Sequence, residues 1–314
     1  MSDAASSEGS GRTRRRVLLV VRVAVTLAAF AWIFTHVDVA STWAAARRVP
    51  PLAFAFACAL VALNLVVSGT RWRAMLDAYG AVKIPPFSTL VRLNFVGFFY
   101  NTWLPGGLGG DAVRGVASRE AFGPSGATGA LAVVFVERVL GLVGMLVVVA
   151  LTSAVAPLPA GDPRAIAVAS VGGVLVGAVV VGALASGARI ARFLPSPLAA
   201  IAGRLPPIRR AGPFTIAVLL SLATQTLGAI TGHVIVGALA PEITLTSSLV
   251  AIPLAMATAF LPFLVGGTGA REMVFVALYG PLGMPAADAT AAGLVCYATQ
   301  LVVGLFGAFL RVEK

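Results

Sequence analysis

Six ionisable residues stand in or beside long apolar runs: Asp111, Arg114, Glu137, Arg138, Arg271 and Glu272. Charge is costly in a low-dielectric interior, so such groups pair with one another or meet a ligand. Arg offers a planar fork of donors that matches phosphate oxygens. Asp111 and Thr268 read as N-caps of new helices. The helix start beyond each cap exposes unpaired N–H groups and partial positive charge, which suit an anion. Arg114 and Arg271 fall in the first turn after these caps, and both are candidate anion contacts together with Asp111, Asn101 and Thr268. The competing reading pairs each Arg with a nearby carboxylate, among Asp111, Glu120, Glu137 and Glu272. Glu137 and Arg138 are neighbours in sequence, so on a helix they face about 100° apart and should reach different partners. Glu137 is the leading candidate for proton coupling or for holding a site Arg, with Arg138 and Glu272 as further organising residues.

These residues accompany two matched breaks. Leu104, Pro105, Gly109, Gly110 and Arg114 repeat without gaps as Leu261, Pro262, Gly266, Gly267 and Arg271, at an offset of 157 residues. Pro lacks an N–H and disrupts the preceding turn, and Gly permits unusual backbone angles. The expected hairpin tips are therefore Pro105, Gly109, Gly110, Pro262, Gly266 and Gly267. Backbone that is not helical cannot face lipid, so each tip must be buried in protein or line a polar cavity.

The elements that carry the breaks follow from composition. Of 314 residues, 59% are apolar and only 11% are charged, against about 25% charged in soluble domains. Apolar runs at 17–36, 52–70, 127–152, 164–186, 213–239 and 286–310 are long enough to cross a bilayer. The broken segments are 86–123 and 246–282. Arg12 and Arg14–Arg16 before the first run read as the flank of an uncleaved signal anchor. Basic residues cluster at the N-terminus, at Arg71, Arg73 and Lys83, from Arg189 to Arg210, and at Arg311 and Lys314. The positive-inside rule puts all these clusters in the cytoplasm only if each broken segment enters and leaves by one face. Arg47, Arg48 and Arg164 then lie outside.

The expected fold is an all-α polytopic membrane protein with about six full spans and two re-entrant broken-helix hairpins in an inverted-topology repeat. Residues 1–15 form a disordered cytoplasmic tail, 16–157 the first membrane repeat and 158–314 the second. Inverted repeats with broken helices are typical of transporters, whose sites lie near the midplane. The expected location is the cytoplasmic (inner) membrane, with both termini cytoplasmic. Abundant Ala, Val, Gly and Arg with only two Lys resembles a high-GC bacterial coding bias.

The net charge of +11 is thus a topology signal, and nucleic acid is not an expected partner. Cys58 and Cys296 have no metal or redox spacing, and His233 is alone, so no metal and no cofactor are expected. There is no phosphate-binding Gly-x-x-x-x-Gly-Lys loop and no nucleophile–base motif, so an enzyme is not expected. Asn64, Gln225 and Gln300 read as polar glue between helices. Arg92, Asn94, Tyr100 and Trp103 lie on the arm leading to the first tip.

The runs Tyr100-Asn-Thr-Trp-Leu-Pro-Gly-Gly-Leu-Gly-Gly-Asp-Ala-Val-Arg114, Val136-Glu-Arg-Val-Leu-Gly-Leu142 and Gly266-Gly-Thr-Gly-Ala-Arg-Glu272 together resemble the flippase-like family. That family is similar to the transmembrane region of lysylphosphatidylglycerol synthase, and the resemblance covers about residues 15–311. It implies movement of a modified phospholipid or other lipid-linked headgroup between leaflets, with motif roles on Asp111, Arg114, Glu137, Arg138, Arg271 and Glu272. Bifunctional relatives add a soluble aminoacyltransferase domain. The sequence stops at Lys314, so the expectation is a stand-alone flippase-like protein. Its expected partners are a membrane phospholipid or lipid-linked substrate and a separate lipid-modifying transferase, with homo-oligomerisation left open. The alternatives are a subunit presenting lipid to that transferase, or a lipid-modifying membrane enzyme.

Overall fold

A computed structural model of the chain describes residues 38–103, 109–153, 155, 163–186, 207–258 and 269–310. Every regular element among them is helical. The elements are α1 (Val39–Arg48), α2 (Pro51–Ala78), α3 (Phe87–Trp103), α4 (Gly109–Ala117), a 3₁₀ segment (Arg119–Ser125) and α5 (Gly126–Ser153). They continue with α6 (Pro163–Ala185), α7 (Ala211–Leu239), α8 (Leu245–Ala257), α9 (Ala270–Tyr279), a second 3₁₀ segment (Gly280–Leu282) and α10 (Ala286–Phe309).

Helices α2, α5, α7 and α10 are long and apolar enough to cross a membrane. Pro50, extended at φ −60°, and Pro51 at the first helical position launch the 28 residues of α2. At 1.5 Å per residue this helix is about 42 Å long, more than a hydrocarbon core of about 30 Å. On α6, Val168, Val171, Leu175, Val176 and Val179 are exposed, Val168 by 73%. A contiguous apolar face of that kind suits lipid, not water. The chain is a multi-pass membrane protein.

The order long helix, two short helices, 3₁₀ segment, long helix occurs twice. Val82 N–H donates to the carbonyl of Ala121 (2.8 Å), tying the turn before α3 to the segment after α4. In the second set the Tyr279 hydroxyl donates to Ser248 Oγ (3.2 Å), tying the end of α9 to the first turn of α8. The packing crosses between the sets: α3 lies on α10, and α8 lies on α5. Helices α2 and α7 form the most extensive helix pair.

Each pair of short helices has its own core. Trp72, Met75, Leu76, Leu90, Val133 and Leu140 bury one. Ile235, Ile252, Phe275, Tyr279 and Ala292 are part of the other. The first pair is held close by glycine: a Cβ on Gly110 would lie 1.8 Å from the carbonyl oxygen of Gly97. Gly269, at φ +88°, provides the left-handed turn into α9.

Several expectations change. The span expected at 52–70 continues two turns further, to Ala78, because Trp72, Met75 and Leu76 keep apolar residues at helical spacing. The stretch expected as an external loop contains α1, capped by Asp38. Gly109 and Gly110 already belong to α4, which starts earlier than the N-cap expected at Asp111, and Asp111 is in its first turn. There its carboxylate still favours the positive helix end. The expected span 17–36, the basic run Arg189–Arg204, and Pro105, Pro262, Gly266, Gly267 and Thr268 lie outside the described residues.

Candidate functional site

Glu137, 3% exposed on α5, accepts from two guanidinium groups. Arg114 of α4 donates through Nη2 to Oε2 in a short contact. Arg71 of α2 donates to Oε1 through Nε (3.1 Å) and lies 3.0 Å from it at Nη2. Arg71 Nη1 turns the other way, to Thr224 Oγ1 (3.2 Å) and Ser221 Oγ (3.5 Å) on α7. Arg114 also stacks over the buried Trp72 ring, 4.8 Å from its centroid. One carboxylate thus serves two cations, and three long helices and one short one converge on it.

The neighbouring charges cancel. Arg138 donates to Asp111 in a short contact. Asp111 also accepts from Asn101 Nδ2 (3.4 Å), while Asn101 Oδ1 accepts the Gly110 N–H (2.8 Å). Asn101 therefore splices the end of α3 to the start of α4. Adjacent Glu137 and Arg138 reach different partners, as their angular separation requires. With Asp111–Arg138 neutral, the cluster of Arg71, Arg114 and Glu137 carries one excess positive charge.

The second set is built differently. Arg271 donates to Glu272 Oε1 through Nε (3.0 Å) and Nη2 (2.5 Å), and Glu272 Oε2 accepts the Gly269 N–H (2.6 Å). Arg271 stacks on Tyr297 at 4.7 Å, and the Tyr297 hydroxyl donates to the carbonyl of Thr102 (3.0 Å). Both side chains are fully enclosed, at 2% and 1% exposure. Glu272 packs against Gly293, where a Cβ would sit 3.2 Å from its Cγ.

Two adjoining cavities lie beside the first cluster. The larger, about 270 Å³, includes Asn64, Ser68, Arg71, Thr224, Gln225 and Gln300 in its wall. The smaller, about 220 Å³, adds Asn94, Asn101 and Arg114. They share Val61, Asn64, Ser68 and Phe98, so they adjoin across a common wall and together make up the chamber between the two sets. Of the expected site residues, Arg114 and Asn101 line it; Arg271 and Glu272 are not among its lining residues. Asn64, Gln225 and Gln300, expected as glue, line it too. Asn64 Nδ2 still donates to the Thr224 carbonyl (3.2 Å), and Gln225 Nε2 to that of Gly141 (3.0 Å). His233 meets Ser248 Oγ at 2.9 Å. No group of three metal-ligating side chains occurs among the described residues.

Arg71 is a chamber residue that the sequence reading places after the second span; apolar residues at helical spacing continue beyond it and beyond Arg73, so both lie within α2. Ser221 and Thr224 carry no such signal.

A family model described as the lysylphosphatidylglycerol synthase TM region matches residues 19–307. No curated protein matches the chain.

Proposed function

The chain belongs to the lysylphosphatidylglycerol synthase transmembrane-region family, and from that premise we propose that it moves a lipid or lipid-linked headgroup between leaflets, with the anionic part held at the central chamber. The family supports a membrane lipid-related role. The observation that carries transport is the excess cation at the chamber wall: Arg71 and Arg114 around the single carboxylate of Glu137. A buried guanidinium without its own counter-ion is an attractor for phosphate. Glu137 holds the two cations in place while the chamber is empty, and an arriving phosphate supplies the second negative charge.

We read the two sets as an inverted-topology repeat with re-entrant hairpins. Support comes from the ties Val82–Ala121 and Tyr279–Ser248 at the two hairpin mouths, and from the reciprocal packing of α3 on α10 and α8 on α5. In this reading the chamber is reached alternately from either leaflet as one set rocks against the other. The turn at Lys83 and the segment at Arg209–Arg210 face the cytoplasm of an inner membrane. The second segment meets the end of α2 just before that turn, since Arg210 pairs with Asp77 at 2.8 Å and Arg209 N–H donates to the Ala78 carbonyl at 2.8 Å. Transport is favoured over chemistry because the chamber offers amides, hydroxyls and guanidinium groups, while Glu137, Asp111 and Glu272 are already held by cations. A separate transferase would supply or consume the lipid.

The test is a dithionite-bleaching assay on the purified chain in phosphatidylcholine liposomes. These carry acyl-labelled phosphatidylglycerol, phosphatidylethanolamine or lysylphosphatidylglycerol. Bleaching beyond the outer leaflet is expected for at least one of the three. Arg71→Ala and Arg114→Ala should each slow it at least about tenfold, equivalent to about 1.4 kcal/mol. Bleaching that stops at the outer leaflet for all three lipids removes the transport reading. Unchanged rates in both variants remove the site assignment.

A further inference from the structure

The chamber's unpaired groups and its charge together define what the headgroup must be beyond its phosphate. Asn94, 4% exposed in the wall of the smaller cavity, has an Nδ2 donor without a hydrogen-bond partner among the described residues. So does Arg114 at Nε, and Arg114 is 8% exposed in the same wall. Asn64, shared by both cavities, has the opposite need: its Oδ1 acceptor is buried and unpartnered while its Nδ2 is used. Buried polar groups rarely go unpaired, and each one left so costs about 1–3 kcal/mol. Each orphaned atom is itself enclosed, so a headgroup satisfies it only as these side chains turn toward the cavity: an acceptor at Asn94 and Arg114, and a donor at Asn64.

A phosphate meets the first need. The second could be met by a hydroxyl or by an ammonium, and the electrostatics choose between them. Among the described residues, no carboxylate lines either cavity. The segments 104–108 and 259–268, which join the short helices, contain no Asp or Glu in their sequence. Glu137 is shared by two Arg, Asp111 is bound to Arg138, and Glu272 to Arg271. A second cation carried by the lipid would face Arg71 with nothing to offset it, and like charges in low dielectric repel strongly. A neutral polyol meets Asn64, Gln225 and Gln300 as hydrogen-bond partners without that cost.

Resting on the transport reading, we propose that the lipid carried is a phosphodiester whose headgroup is an uncharged polyol, glycerol or sugar, and that an aminoacylated or amine headgroup is disfavoured. Asn64 is the specificity-determining residue: it accepts a headgroup hydroxyl.

The experiment compares initial flip rates of the full chain in phosphatidylcholine liposomes for acyl-labelled phosphatidylglycerol, phosphatidylethanolamine and lysylphosphatidylglycerol. Phosphatidylglycerol should move at least about tenfold faster than either amine lipid, a difference of about 1.4 kcal/mol. Asn64→Asp places a carboxylate in the wall and should lower that ratio at least about tenfold. Movement of all three lipids at equal rates, or faster movement of an amine lipid, overturns the headgroup assignment while leaving transport intact. An unchanged ratio in Asn64→Asp overturns the role of Asn64. Movement of none removes the transport reading, and this inference with it. The wild-type ratio decides the matter where the variant does not fold.

Discussion

Glu137 and Arg71 should part company under mutation, although they touch. Glu137→Gln leaves Arg71 and Arg114 buried without a counter-charge. Breaking a buried pair from one side costs about 3–5 kcal/mol, so the melting temperature in detergent should fall sharply. Arg71→Ala instead leaves Arg114 and Glu137 as a balanced pair, so its stability loss should be clearly smaller. Yet it removes the excess cation, so the flip rate should fall at least as far as in Glu137→Gln protein that remains folded. Equal melting shifts in the two variants would mean that Arg71 is only structural. Arg48 provides a contrast. Its side chain is 57% exposed where it pairs with Asp288, which is 12% exposed but stands in the first turn of α10 and keeps that helix's positive end as a partner, and a pair open to water on one side is worth about 1 kcal/mol. Arg48→Ala should leave both melting temperature and transport near their wild-type values.

Among the elements, the close crossing of α3 and α4 is the most vulnerable. A Cβ at Gly110 would lie 1.8 Å from backbone of Gly97, which no rotamer change relieves. Gly110→Ala should therefore destabilise the protein by about 1–3 kcal/mol. Gly212→Ala, in the first turn of α7 with open space around it, should be neutral or stabilising by up to about 1 kcal/mol. Thermal unfolding in one detergent reads both, and a reversed order would remove the crossing as a constraint. The helices that meet at this crossing, α3 ending at Trp103 and α4 starting at Gly109, flank the break read from Pro and Gly in the sequence, residue types that interrupt helices through backbone geometry alone. Span ends were less legible. Arg71 and Arg73 look like loop charges until α2 is seen to run on to Ala78. The partners of Arg71 lie 66, 150 and 153 residues away, so no local pattern carries its role. Helix α1 escaped notice because a short amphipathic turn capped by Asp38 resembles a loop when only long apolar runs are sought.

At the scale of the whole molecule, the chamber is useful for transport only if the two hairpins open to opposite faces. A groove open to one face could hold a headgroup but not release it on the other. The turns before α3 and α8 report this directly. Val82, 78% exposed before α3, and Glu242, exposed before α8, each tolerate a reporter without disturbing a core. The native Cys58 and Cys296 are replaced first; Cys296 is buried and Cys58 half-buried. Val82→Cys should then react with an impermeant maleimide only in inside-out vesicles, and Glu242→Cys only in right-side-out spheroplasts. Reaction of both from one side would place both hairpins in one leaflet. The excess charge of Arg71 and Arg114 would then serve a static lipid site, and no rocking of one set against the other could carry a headgroup past it.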